Sequence, residues 1–150
     1  MASKMEMEVE LKSSADKYWE AMTEANILLP KLFPNIYKSI EILEGDGKSI
    51  GSVRLVKYTQ EVPNITFGKE KIEMADEASK TVGYSVIDGE LTNYYKIFKA
   101  TFQVIPKGEG SVVKGSFEYE KANAEVPEPE TLKKMTEQTF KDLDAYVIKN

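Results

Sequence analysis

Two absences define the side chains that could do chemistry in this chain. Its 150 residues include no histidine and no cysteine. That removes the commonest general base near neutral pH, the commonest metal ligand and every thiolate device. Ser-His-Asp and Cys-His catalysis are excluded, and so are disulfides. A catalyst here would have to use Tyr, Lys, Asp or Glu with displaced pKa values. No metal and no cofactor is expected. One stretch does look like a chemical device: "EGDGKSIGS", Glu44 to Ser52, packs glycines, a lysine and serines together as phosphate-binding loops do. The spacing argues against that use. A Walker-type loop would need glycine where Ile42 stands, and the dinucleotide fingerprint would need it at Ile50. Both devices aim helix-terminal N–H groups at phosphate, yet the following "SVRLVKY" reads as a strand. A hairpin loop is the expected structure.

The elements that must position any site follow from periodicity. Met5, Met7, Val9 and Leu11 alternate with Glu6, Glu8 and Glu10, which predicts a strand with one wet face. Ser13 and Ser14 can cap a helix carrying Tyr18, Trp19 and Met22. A second short helix around Ile27 to Leu32 must stop near Phe33, because the residue before Pro34 is pushed out of helical geometry. From Tyr37 to Tyr119 strands and turn signals alternate roughly every ten residues, as in an antiparallel meander. Gly68, inside "ITFGKEKIEM", is expected to mark a bulge. After "ANAEVPEPE" the period becomes helical, with Leu132, Met135, Thr139, Phe140, Leu143, Tyr146 and Val147 on one stripe. The result is an α+β fold: seven antiparallel strands, two short helices and a long C-terminal helix able to close the concave side of a curled sheet.

Bulk composition sets the class. A hydrophobic content of 41% with 30% charged residues is that of an ordinary globular chain, and one domain over residues 1–150 is expected. The net charge of −5, with lysines dispersed, gives nucleic acid no basic footprint. No apolar run approaches the ~18 residues of a membrane span, and no signal peptide is visible at "MASKMEMEVELK". A cytoplasmic monomer is expected, with no nucleic-acid partner and no membrane insertion.

Three segments carry a family resemblance: "LLPKLFPNIYKSIEILEGDGKSIGSVRLVKY", "GYSVIDGEL" and "IPKGEGSVVKGSFEYEK". In this order, over essentially the whole chain, they resemble the major latex protein branch of the birch-pollen-allergen superfamily (Bet v 1, class-10 pathogenesis-related). The resemblance implies the helix-grip, or START-like, fold: a curved seven-stranded antiparallel sheet around a long C-terminal helix, with two short helices in a V beneath. It also implies a large apolar cavity that holds a small hydrophobic molecule of the sterol, flavonoid, terpenoid or hormone class. A defence or stress role accompanies it.

Mapped onto the meander, the cavity face takes in Arg54, Val56 and Tyr58, then Ile65 and Phe67. Val82, Tyr84 and Val86 follow, then Phe98, Ala100 and Phe102, then Gly115, Phe117 and Tyr119. Met135, Thr139, Phe140 and Leu143 would form the helical lid. Each set keeps period two or helical spacing, and plain core packing is the simpler account of that pattern. The face of Arg54 rests on the resemblance. Facing inward, its charge would need either a neighbouring carboxylate or an acidic ligand. Gly115 and Ala100 are small where a filled core would want bulk, and Met7, Met22 and Met135 could adapt around guests. The phenols of Tyr58, Tyr84 and Tyr119 would each need a partner if buried. Some relatives are cofactor-free cyclases or isomerases, for which Tyr84, Tyr119, Lys69 and Glu70 are the candidate acid-base groups here. A ribonuclease without histidine and with net negative charge is not expected.

Overall fold

In the computed structural model, which describes residues 2–150, the chain opens with strand β1, Ser3–Leu11, its glutamates outward and Met7, Val9 and Leu11 buried. Helices α1, Ala15–Thr23, and α2, Ala25–Leu32, follow, then strands β2, Tyr37–Glu44, β3, Val53–Tyr58, β4, Phe67–Asp76, and β5, Thr81–Gly89. A single helical turn, α3, Leu91–Tyr94, leads into β6, Tyr95–Lys107, β7, Gly110–Lys121, and the long helix α4, Glu130–Lys149. The strands form one seven-stranded antiparallel sheet in the order β1-β7-β6-β5-β4-β3-β2. The α+β fold expected from the sequence is the one found.

Local chemistry explains the joints. Ser14 caps α1 by accepting from the Lys17 amide, at 3.3 Å. Ser13 turns away from the cap and toward α4. Its hydroxyl donates to Asp144 at 2.6 Å, and the amides of Lys12 and Ser13 donate to the same carboxylate at 2.8 and 3.0 Å. Helix α2 stops at Phe33, as Pro34 demands. Asp88 and Gly89 end β5, and α3 follows at Leu91, beside a Glu90 carboxylate that accepts from the amides of Thr66 and Phe67 and a Thr92 hydroxyl that donates to the Gly89 carbonyl. Gly68 stays in register with β3, opposite Val56; the pairing of β4 slips instead beside Ile87 and at Glu73.

Helix α4 is fixed unevenly. Its backbone approaches the sheet closely at β1 and packs on α1, while it stands off the middle strands. Tyr18, fully buried in α1, donates its hydroxyl to the Phe140 carbonyl at 3.0 Å, and Phe140 meets Phe102 edge-on at 5.0 Å. Side chains fill the β1-β7-β6 half. The half beneath β3, β4 and β5 is spanned but not filled.

Candidate functional site

The unfilled half holds a space in two lobes. The larger, about 140 Å³, has Val56, Val82 and Phe102 of the sheet on one side and Phe140 and Leu143 of α4 on the other. The smaller, about 80 Å³, lies between Val86, Phe98 and Phe117 of the sheet and Leu132 and Met135 of α4. Six residues border both lobes: Tyr37, Tyr58, Glu70, Tyr84, Thr136 and Thr139. Every one carries a hydroxyl or a carboxylate. The cavity is therefore apolar at both ends and polar at its waist, and it is smaller than the large chamber the resemblance implies.

The waist is organised by an ion pair. Arg54 Nε donates to Glu70 Oε1 at 2.8 Å, its Nη1 donates to Asn26 Oδ1 at 3.2 Å, and its guanidinium sits 5.3 Å from the Tyr84 ring centre. Cross-strand register creates this pair, because Arg54 of β3 lies directly opposite Glu70 of β4. The inward arginine anticipated from the resemblance thus has a carboxylate of its own. Burial works against its charge, but Glu70 more than offsets that and its pKa rises. Burial, reinforced by the Glu70 charge, pushes the Tyr58 and Tyr84 phenols well up. Tyr37 is pushed up to about 12 by the same causes, although the Thr139 hydroxyl beside it pulls the other way. At neutral pH all of these phenols are protonated donors. Among the described residues the Tyr58 and Tyr84 hydroxyls meet no hydrogen-bond partner, nor does Glu70 Oε2. Thr136 and Thr139 donate back along the helix to the Leu132 and Met135 carbonyls, which leaves the Thr136 oxygen free to accept while the Thr139 hydroxyl faces Tyr37.

Two recesses flank the lobes. A cleft of about 330 Å³ between the helices and the glycine loop shares Met22, Ala25, Arg54 and Val82 with the larger lobe. Another, about 270 Å³ and rimmed by Pro63, Pro127 and Pro129, shares Val62, Ile65, Leu91, Leu132 and Met135 with the smaller one.

Of the residues read from sequence, Arg54, Val56, Tyr58, Ile65, Val82, Tyr84, Val86, Phe98, Phe102, Phe117, Met135, Thr139, Phe140 and Leu143 border one lobe or the other. Phe67 does not. The inward positions of β4 are Gly68, Glu70 and Ile72, so Phe67 faces an outer groove with Leu55, Lys57 and Lys69, and Ile65 reaches the cavity from the preceding loop. Gly115 marks no hollow either: an added Cβ would stand 2.6 Å from the Phe102 ring. Ala100 and Tyr119 are buried outside both lobes. Tyr119 donates to Glu128 and lies edge-on to Tyr95 at 5.7 Å. Met7 packs beside Gly115.

Sequence reasoning missed Tyr37 and Asn26. Tyr37 turns inward because pairing with β3 slips at Lys38, which puts Tyr37 and Ile40 on one face despite their odd spacing. The available signal was the tyrosine opposite it: the rings of Tyr37 and Tyr58 are 5.6 Å apart. Asn26 works through its neighbours, since its amide also donates to the Gly47 carbonyl at 2.9 Å.

The glycine loop carries its own anion. Asp46 accepts from the Lys48 and Ser49 amides at 2.8 and 2.7 Å and from the Ser49 hydroxyl at 2.8 Å. These bonds hold its carboxyl far below the usual range. The N–H groups a phosphate would need are already taken. Gly45, Gly47 and Gly51 all have positive φ, which explains the glycines as turn formers.

The profile of the family described as "Pathogenesis-related protein Bet v 1 family" matches residues 1–150. MLP-like protein 423 of Arabidopsis thaliana is 43% identical, over 97% of this chain and 94% of its own length. Major latex protein 149 of Papaver somniferum is 36% identical, over 98% and 92%. The crystal structure of ginseng major latex-like protein 151 from Panax ginseng superposes with a TM-score of 0.88 at 26% identity, covering 97% of both chains.

Proposed function

The chain belongs to the pathogenesis-related protein Bet v 1 family, on its major latex protein branch, and from that premise we propose that it binds and carries a small hydrophobic molecule in the cavity beneath α4. The observation that carries this reading is the pair of apolar lobes meeting at a hydroxyl-lined waist. Burial of apolar ligand surface, at ~25 cal/mol per Å², would supply the affinity, and the Tyr58 and Tyr84 hydroxyls would set the orientation. The lobe volumes favour terpenoid and flavonoid skeletons over the bulk of a sterol. We place the carrier inside the cell, with a part in defence or stress. Among the described residues no helix is long and apolar enough to cross a membrane.

Titration calorimetry with a panel of terpenoids, flavonoids and sterols tests the proposal. Saturable binding is expected, with the smaller skeletons preferred. Phe98→Ala should change the affinities, whereas Phe67→Ala, on the outer face, should not. Absence of saturable binding across the panel would refute the reading. Catalysis by the four candidate groups finds less support. Lys69 lies on the outer face and Tyr119 is committed to Glu128, leaving Tyr84 and Glu70 at the cavity. Tyr84→Phe should accordingly weaken binding by no more than about tenfold, the worth of one hydrogen bond.

A further inference from the structure

Resting on the cavity-binding reading, we infer that this site selects neutral ligands carrying a carbonyl and a hydroxyl or amide at their centre, flanked by apolar groups, and rejects the corresponding free acids. Charge and the set of free donors and acceptors at the waist impose this selectivity. Arg54 is the sole cation bordering the two lobes among the described residues, and Glu70 the sole anion. They already pair at 2.8 Å, with the Glu70 side chain 8% exposed and that of Arg54 15%. Glu70 thus occupies the carboxylate position that an inward arginine would otherwise offer to a ligand. A ligand carboxylate at the waist would bring a second anion to a single cation whose own pair is largely buried, where like charges repel and desolvation is costly.

The same waist is well furnished for a neutral guest. The unpartnered hydroxyls of Tyr58 and Tyr84 are donors that a ligand carbonyl satisfies. The open Glu70 Oε2 is an acceptor that a ligand hydroxyl or amide satisfies. Because the polar ring lies between the lobes, those groups belong in the middle of the molecule. Its apolar parts then extend toward Phe102 and Phe140 on one side and toward Phe98 and Met135 on the other.

Benzilamide and benzilate make a matched pair of probes. Each has two phenyl groups and a hydroxyl on one central carbon, and they differ only in carrying a neutral amide or an anionic carboxylate. By calorimetry at pH 7.5 the wild-type protein should bind benzilamide at least about tenfold tighter than benzilate. A merely greasy cavity would show the same preference, so Glu70→Gln decides. Glutamine keeps an oxygen for Arg54 but frees the cation's charge and puts a donor where Oε2 accepted from the ligand, so benzilate should gain about tenfold or more while benzilamide loses up to about tenfold. Val82→Arg adds a second cation to the larger lobe without touching the ion pair, and should raise benzilate affinity in the same direction. This keeps the test open if the Glu70 variant does not fold. Equal wild-type affinity for the two probes, or no gain of benzilate in either variant, overturns the inference while leaving a cavity that binds benzilamide. Failure of both probes and of the apolar panel removes the carrier reading as well.

Discussion

Replacing Arg54 by methionine keeps an unbranched apolar stem and removes the charged head group, leaving Glu70, 6% exposed, without the cation 2.8 Å away. Breaking one side of a buried pair typically destabilises by about 3–5 kcal/mol, because the surviving charge is neither solvated nor matched. In a chain of this size each kcal/mol lowers the melting temperature by about 2–4 °C, so a drop on the order of 10 °C is expected. Arg54→Met with Glu70→Met, which replaces both charges by apolar groups, should recover to within about 1–2 kcal/mol of wild type. Urea unfolding of the three proteins at pH 5 and pH 7.5 measures all of this. A single variant less than about 1 kcal/mol down at both pH values, or a double variant no better than the single, would show that the pair is solvated and would refute the charge argument for the cavity.

Three further perturbations address the frame and the loop. Asp144→Ala strips the acceptor from the amides of Lys12 and Ser13 and from the Ser13 hydroxyl, and should lower stability in urea by about 3 kcal/mol, with Ser13→Ala costing about 1. Gly115→Val pushes a Cβ to within 2.6 Å of the Phe102 ring and should destabilise by about 2–3 kcal/mol in thermal melts, while weakening ligand binding because Phe102 also walls the larger lobe. The lowered pKa of Asp46 means its bonds to the loop are present above the ordinary value of about 3.8 and are lost only as pH falls through the depressed folded value. NMR shifts of the Lys48 and Ser49 amides should therefore stay unchanged from pH 7 down to about 3, and should not move on addition of ATP.

The strands, their antiparallel meander and the terminal helix were legible because they rest on periodicity, which a sequence displays directly; the pairing of β1 with β7, far along the chain, was not. Most of the cavity wall was legible for the same reason: Val82, Tyr84 and Val86, or Phe98 and Phe102, keep their phase along uninterrupted stretches. The errors fall where phase is broken or where a residue acts at a distance. Ile65 and Phe67 look like one alternating run, but the strand starts at Phe67 and Ile65 belongs to a loop that contains Asn64 at positive φ. Tyr37 was hidden by the slip at Lys38. Gly115 was misjudged because a missing side chain has two explanations, a void or a neighbour's ring, and only the register of Phe102 opposite it chooses the ring. The pairing of Arg54 with Glu70 and the anchoring of Asp144 to Ser13 join residues 16 and 131 positions apart, and nothing local announces them.

These long-range contacts also explain how a small domain can leave part of its interior unfilled. An unfilled space forfeits packing and hydrophobic stabilisation, so the rest of the chain must hold the helix without it. Here the C-terminal half of α4 does so: Asp144 ties it to the end of β1, Tyr18 binds the carbonyl of Phe140, and Leu143 and Val147 are buried. Among the described residues no side chain from another element donates to a carbonyl of the N-terminal half; the ties lie just before it, where Tyr95 donates to the Pro127 carbonyl and Tyr119 to Glu128. It begins at Pro129 without a side-chain cap, and no residue before Phe140 on this helix is fully buried. Its Leu132 and Met135, with Val62, Ile65 and Leu91, stand between the smaller lobe and the proline-rimmed recess. The half that sets Phe140 and Leu143 against the larger lobe is thus tied by hydrogen bonds, whereas the other half meets the smaller lobe through the apolar side chains of Leu132 and Met135.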